Sequence, residues 1–139
     1  MQNQANQTVL AVVSDLFFSA KITEAAKRAG VTLEYVTTEK EVLEKAQSNP
    51  ALIIFDLNFD AVHPLDLIGK LKANAALKHI SLLGYLSHVQ AELKMKAQEA
   101  GCDVVMPRSA FSLNLPQILT DVGQDGIAPP IGNRPLAGS

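Results

Sequence analysis

The sequence is poor in several things that would each point to a function. It has one cysteine, Cys102, in 139 residues, which excludes an intrachain disulfide framework and a multi-cysteine zinc site. It has no tryptophan, and aromatic residues make up 5% of the chain. Lys and Arg number 12 against 14 Asp and Glu, a formal charge of −2. With no basic stripe and no interleaved aromatics, neither nucleic acid nor an anionic membrane is an expected partner. No apolar stretch nears the ~18 residues of a membrane span, and no charged-then-apolar leader opens the chain. The expectation is a cytoplasmic protein of one domain.

What the sequence does contain is a repeating pattern. Val9 to Val13 is a continuous apolar run rich in β-branched residues, as expected of a strand buried on both faces. The spacing of Phe18, Ile22, Ala25, Ala26 and Ala29 then predicts a helix over Phe17–Ala29, with Gly30 as its stop. Val31 to Val36 is a second strand. Thr38, with Glu41 three residues on, has the form of a capping box for a helix ending near Asn49-Pro50. Leu52 to Phe55 is the third strand, and Pro64 is placed to open the third helix. Ile80 to Leu86, Val89 to Ala100, Val104 to Met106 and Phe111 to Val122 continue as strand, helix, strand, helix. Pro116 inside the last segment marks either a late start or a kink. Strands alternating with amphipathic helices imply a parallel sheet with helices on both faces and right-handed crossovers. Gly123 to Ser139 holds four Gly and three Pro, too little apolar surface for a core, and is expected as a flexible tail after a domain spanning 8–122.

Parallel α/β sheets gather functional side chains at the carboxyl ends of their strands. Asp15, Asp56, Ser87 and Arg108 all fall there. Asp56, closing the apolar run Ala51-Leu52-Ile53-Ile54-Phe55, is the most informative. No glycine occurs in Ser14-Asp15-Leu16-Phe17 after the first strand, which disfavours a phosphate-cradling nucleotide site or a flavodoxin-like cofactor protein. No nucleophile–base–orienter set appears, so the chain is not expected to be an enzyme. Each candidate has an alternative role. Asp56 is a phosphoryl acceptor or a strand-end carboxylate bonded to loop amides. Asp15 is a metal ligand or a helix N-cap. Ser87 is a phosphoryl hydrogen-bond donor or an N-cap, and Arg108 a phosphate partner or a salt bridge to Asp56 or Asp15. His63, His79 and His88 lack a paired ligand at helical spacing and are expected at the surface. Phe17 and Phe18 are expected to pack a helix start on the sheet, Lys70, Lys72, Lys78, Lys94 and Lys96 to form solvated faces, and Cys102 to be a buried small hydrophobe.

Residues 8 to 122 resemble the receiver domain of bacterial two-component response regulators. Ile54-Phe55-Asp56-Leu57-Asn58 resembles the segment around that family's phosphoacceptor. Pro64-Leu65-Asp66-Leu67 occupies the place of its Gly-hydrophobic-acidic-Leu segment. Leu86-Ser87 matches its strand-end Thr/Ser, and Glu99-Ala100-Gly101-Cys102-Asp103 resembles its Glu-Ala-Gly-Ala-Asp segment. The resemblance implies a flavodoxin/CheY-like doubly wound, five-stranded parallel (βα)5 sheet in the order 2-1-3-4-5. It implies Asp56 as phosphoacceptor, Ser87 and Arg108 as phosphoryl contacts, and Mg²⁺ held by Asp15, Asp56 and the Asn58 backbone carbonyl. It implies a histidine kinase or phosphotransfer protein as one partner. A downstream protein would use the face of the fourth helix, fifth strand and fifth helix, and a second copy, as a homodimer, is a further candidate. The chain departs from the family at four places. Ser14-Asp15 stands for a pair of acidic residues, Arg108-Ser109 for Lys-Pro, Val105 for an aromatic switch residue, and His88 for a small residue. Two functions follow as expectations: a stand-alone receiver-like protein in a phosphorelay, or a phosphorylation-independent pseudo-receiver acting as an interaction module.

Overall fold

The structure, a computed structural model, describes residues 8–87 and 90–125. Its elements alternate: β1 (Thr8–Val12), α1 (Leu16–Ala29), β2 (Thr32–Tyr35), α2 (Glu39–Ala46), β3 (Leu52–Asp56), α3 (Pro64–Ala73), β4 (Ser81–Leu86), α4 (Ala91–Ala100), β5 (Val104–Pro107) and α5 (Arg108–Asp125), with a 3₁₀ turn at Asp60–Val62 before α3. The strands form one sheet in the order β2-β1-β3-β4-β5, and every neighbouring pair is parallel. The doubly wound order expected from the sequence is the order observed.

Strand alternation sorts the core into two layers. Leu10, Val12, Ile53, Phe55, Leu82, Leu86 and Val105 point to one side, where Val42, Ala46, Leu67, Ile68, Leu71 and Ala97 of α2, α3 and α4 cover them. Val9, Ala11, Leu52, Ile54, Leu83, Tyr85 and Met106 point to the other, under Phe18, Ile22, Phe111, Leu115, Ile118 and Leu119 of α1 and α5. Each fully buried Leu, Ile or Phe contributes about 1.5–3 kcal/mol, so the two layers dominate the stability of the fold.

The local signals act as the sequence suggests. Gly30 closes α1 at φ 74°, a left-handed conformation that glycine adopts without a Cβ penalty. Thr38 Oγ1 accepts the Glu41 amide at 3.1 Å, while the Glu41 carboxylate reaches back to the Thr37 amide at 3.4 Å. Pro64 opens α3. The helix after Thr38 ends earlier than expected, at Ala46, and turns continue to Asn49 at φ 58°.

Three expectations are corrected. The last helix begins at Arg108, not Phe111, and runs unbroken through Pro116 to Asp125. Pro116 is exposed and forgoes only one internal bond, while Phe111, Leu115, Ile118, Leu119 and Val122 hold the helix down. Residues 123–125 accordingly belong to α5 and not to a tail; 126–139 lie outside the described residues, as do His88 and Val89. Lys72 is not a solvated face residue. Its Nζ donates to the Lys78 and Ile80 carbonyls and to Asp103 Oδ2, each at 3.0 Å, and Asp103 Oδ2 also accepts the Leu82 amide at 2.8 Å. Lys70, by contrast, is paired at the surface with Glu39.

Gly84 of β4 lies beside Phe55 of β3. A Cβ there would stand 2.9 Å from Cγ of the buried Leu57, the residue after Asp56. Gly84→Ala is therefore expected to overpack the sheet and lower stability by about 1–3 kcal/mol, read as a fall in the urea midpoint. An unchanged midpoint would show that Leu57 repacks freely.

Candidate functional site

The carboxyl ends of β1, β3, β4 and β5 converge on one corner, and all four sequence-selected side chains are there. Asp56 is the last residue of β3 and is 6% exposed, the one buried charged residue among those described. Its register partner is Tyr85 on β4, so both side chains fall on the α1/α5 side of the sheet. Asp56 Oδ1 accepts the Asn58 amide at 2.9 Å. Burial raises the Asp56 pKa above its ordinary value; the Asn58 amide and the Arg108 charge pull it back, and Asp15 and Asp60 push it up.

Asp15 is the N-cap of α1. Its Oδ1 accepts the amides of Phe17 and Phe18 at 2.9 and 3.2 Å, the role the sequence held open against metal ligation. Its Oδ2 accepts Arg108 Nη2 at 3.2 Å. The guanidinium also lies over the Phe18 ring, 5.2 Å from ring centroid to Cζ. Arg108 Nε is buried and, among the described residues, has no hydrogen-bond partner.

On the other side of Asp56, the Asn58 side chain ties two loops together. Its Oδ1 accepts both the Ser87 amide and the Ser87 hydroxyl at 2.8 Å, and its Nδ2 donates to Gln90 Oε1 at 3.2 Å. The Asn58 backbone carbonyl, expected as a metal ligand, accepts the Asp60 amide at 3.1 Å. Ser87 precedes α4 but does not cap it; Gln90 stands at that position without a side-chain capping bond.

Two features were missed in the sequence. The first is the Asn58 side chain, whose bridge joins residues 29 and 32 positions away. The second is Tyr85. It stacks on Phe111 at 4.7 Å between centroids, with Phe18 5.0 Å from Tyr85 and 5.7 Å from Phe111. Its hydroxyl is buried without a partner among the described residues, and burial beside the Asp56 charge pushes its pKa well above the ordinary phenol value. The only sequence signal was a polar aromatic two residues before Ser87. The aromatic mass of the corner thus sits on the α1/α5 side, whereas Val105 is buried on the α3/α4 side.

Phe18 is buried as expected, but Phe17 and Leu16 are 71% and 85% exposed. Together with Leu113, 82% exposed on α5, they give this end of the molecule an apolar rim. His63 is exposed at the start of α3. Cys102 is buried, and that burial pushes its thiol pKa up to about 12, which leaves it inert.

The donors do not fit a resident Mg²⁺. Mg²⁺ takes near-octahedral oxygen ligands. Here Asp15 gives one oxygen to two amides and the other to a guanidinium, and Ser14 leaves that pair one carboxylate short. Among the described residues no group of three His, Cys, Asp or Glu side chains is placed to hold a metal.

No protein-family model and no curated protein matches the sequence. Solved structures match in fold. The chemotaxis response regulator CheY4 of Vibrio cholerae superposes with a TM-score of 0.70 at 21% identity, over 83% of this chain and 97% of that one. The phosphorylated cyanobacterial phytochrome response regulator RcpA gives 0.70 at 18%, over 89% and 98%. The Mn²⁺-bound form of response regulator Rcp1 gives 0.66 at 16%, over 86% and 94%. The fold is that of response-regulator receiver domains. At these identities the likeness is one of architecture. No described helix is long and apolar enough to cross a membrane.

The raised pKa of Asp56 has a consequence for stability. A carboxyl that holds its proton more tightly folded than unfolded favours folding at low pH. That advantage is lost as pH rises from the ordinary 3.8 through the higher folded value. Asp56→Asn removes the cost of ionisation, so at pH 7 the variant should melt at a higher temperature than the parent. The gap should narrow as pH falls through the carboxylate range, and a gap that widened on acidification would contradict the burial argument. Tyr85→Phe deletes an unpartnered buried hydroxyl and is expected to be neutral or stabilising by up to about 1–3 kcal/mol, measured by urea unfolding; a loss of stability would reveal a partner for that hydroxyl.

Proposed function

We propose that this chain is a receiver-type signalling module of a two-component phosphorelay, acting in the cytoplasm, with Asp56 as its phosphoryl acceptor. The observation that carries this reading is the placement of Asp56. It is a buried carboxylate at the carboxyl end of the central strand, bonded to a loop amide and beside a guanidinium. In this reading a histidine kinase or phosphotransfer protein presents a phosphohistidine. An Asp56 oxygen attacks phosphorus, the P–N bond breaks, and an acyl phosphate forms. Arg108 favours the ionised, nucleophilic carboxylate against the desolvation that disfavours it, and its fork matches phosphoryl oxygens. Ser87 would have to exchange Asn58 Oδ1 for a phosphoryl oxygen, which loosens the loop before α4. That gives the new charge a route to the face of α4, β5 and α5, where a downstream partner would dock. The exposed Leu16, Phe17 and Leu113 supply an apolar rim for the donor protein.

A second reading has its own observation. The Arg108–Asp15 pair and the absence of a second carboxylate at Ser14 support a pseudo-receiver that engages its partner without phosphorylation. Incubation with acetyl phosphate, with and without Mg²⁺, followed by intact-mass measurement beside Asp56→Asn, separates the two. The phosphorelay reading expects an adduct of one phosphoryl group that the variant lacks. No adduct under conditions that label an ordinary receiver would leave the interaction module.

A further inference from the structure

We infer that Arg108 is the resident cation of this corner, standing in place of a divalent metal: its guanidinium pairs with Asp15 and holds the Asp15 oxygen that a metal ion would need. The inference rests on the corner's geometry and not on whether Asp56 is phosphorylated.

Three observations carry it. First, Arg108 Nη2 is bonded to Asp15 Oδ2, while Asp15 Oδ1 is committed to the amides of Phe17 and Phe18 in the first turn of α1. A cation reaching Asp15 must therefore displace either the guanidinium or the helix cap. Second, Arg108 is poorly placed for the helix that bears it. It is the first residue of the 18-residue α5, where unpaired amides and the helix dipole disfavour positive charge. What balances that charge lies off the helix, in Asp15. Third, the guanidinium is held by more than charge. It lies against the face of Phe18, itself packed with Tyr85 and Phe111, and its Nε is buried. Planar, delocalised and weakly hydrated, a guanidinium tolerates such a seat better than an ammonium does.

Charge completes the case. Two carboxylates attract a divalent ion; two carboxylates with a guanidinium bonded to one of them leave one net negative charge and occupy an oxygen of that one. The affinity of oxygen sites for hard cations follows ligand charge and number, so this corner as built should be a weak metal site, and removal of Arg108 should make it a stronger one.

The test is a titration with Mn²⁺, following free Mn²⁺ by electron paramagnetic resonance, on the full chain and on Arg108→Gln, Arg108→Lys and Arg108→Gln/Asp15→Asn. The parent should leave Mn²⁺ largely free at sub-millimolar concentrations. Arg108→Gln, which keeps a polar side chain without the charge and the guanidinium fork, should bind about tenfold tighter or more. Arg108→Lys keeps the charge and should remain close to the parent. The double variant should lose the gain, which fixes the new site to this corner. Equal affinity in the parent and Arg108→Gln would overturn the inference, and so would a gain that survives Asp15→Asn. Circular dichroism of each variant checks its fold. Should Arg108→Gln unfold, tight binding by the parent still refutes the inference, and Mn²⁺-driven refolding of the variant supports it.

Discussion

An ionised carboxylate taken out of water costs free energy unless hydrogen bonds and opposite charge replace its hydration. Asp56 is in that position at the end of β3, and its surroundings make sense as the replacement. The Asn58 amide supplies a hydrogen bond, and Arg108 supplies charge from the first turn of α5. Neither fully offsets burial, since the Asp56 pKa stays raised. A guanidinium at a helix N-terminus opposes the helix dipole, so it in turn needs Asp15 and the Phe18 face to hold it. The corner is thus a chain of mutual requirements that begins with one buried carboxylate. Removing Arg108 would leave the Asp15 carboxylate without its cation.

The sheet determines where that chain can form. Parallel strands end together, so β1, β3, β4 and β5 deliver their following residues to one edge. Strand alternation then puts Asp56 and Tyr85 on the α1/α5 side, and the Tyr85–Phe111–Phe18 stack closes the corner beneath the polar groups. On the far side the Asn58 side chain draws the loop after β4 toward the loop after β3 through Ser87 and Gln90. Lys72 and Asp103 do comparable work at the opposite edge, where they fasten α3 to the entry of β4 and β5. Polar ties at both ends and apolar layers between them set the position of Asp56 more firmly than its own contacts could.

Most of the architecture was legible in the sequence because it is written in local signals. Short apolar or alternating segments marked the strands, and Thr38, Gly30 and Pro64 marked helix boundaries that physical chemistry fixes within a few residues. The start of α5 was placed three residues late because Arg108-Ser109-Ala110 carries no large apolar residue to mark it. The kink or late start that Pro116 suggested does not occur because packing of Phe111 to Val122 carries the helix through it. At the site, the sequence found the residues but not their pairing. Asp15 and Arg108 are 93 positions apart, and only the fold decides that Asp15 serves as cap and ion-pair partner at once. The same holds for Lys72, whose role depends on carbonyls and a carboxylate brought to it from other elements.

The departures from the receiver pattern also form a set. Ser14 is exposed and removes a negative charge from the loop after β1. Arg108 keeps a positive charge opposite the remaining carboxylates, but as a broad, fixed fork paired with Asp15. With Arg108 in place the two remaining carboxylates carry one net negative charge, where the bare pair would carry two. Val105 extends the same logic to packing. A valine buried on the α3/α4 side has no ring to swing, while the three aromatics of the corner are locked against one another on the opposite face. Movement at this end is therefore left to the loop after β4, where the exposed Ser87 is held to Asn58 by hydrogen bonds alone. Hydrogen bonds at an exposed site contribute about 0.5–1.5 kcal/mol each, far less than the burial of a ring. Asp56 and Ser87 are joined through one residue, Asn58, whose amide bonds Asp56 and whose side chain holds Ser87.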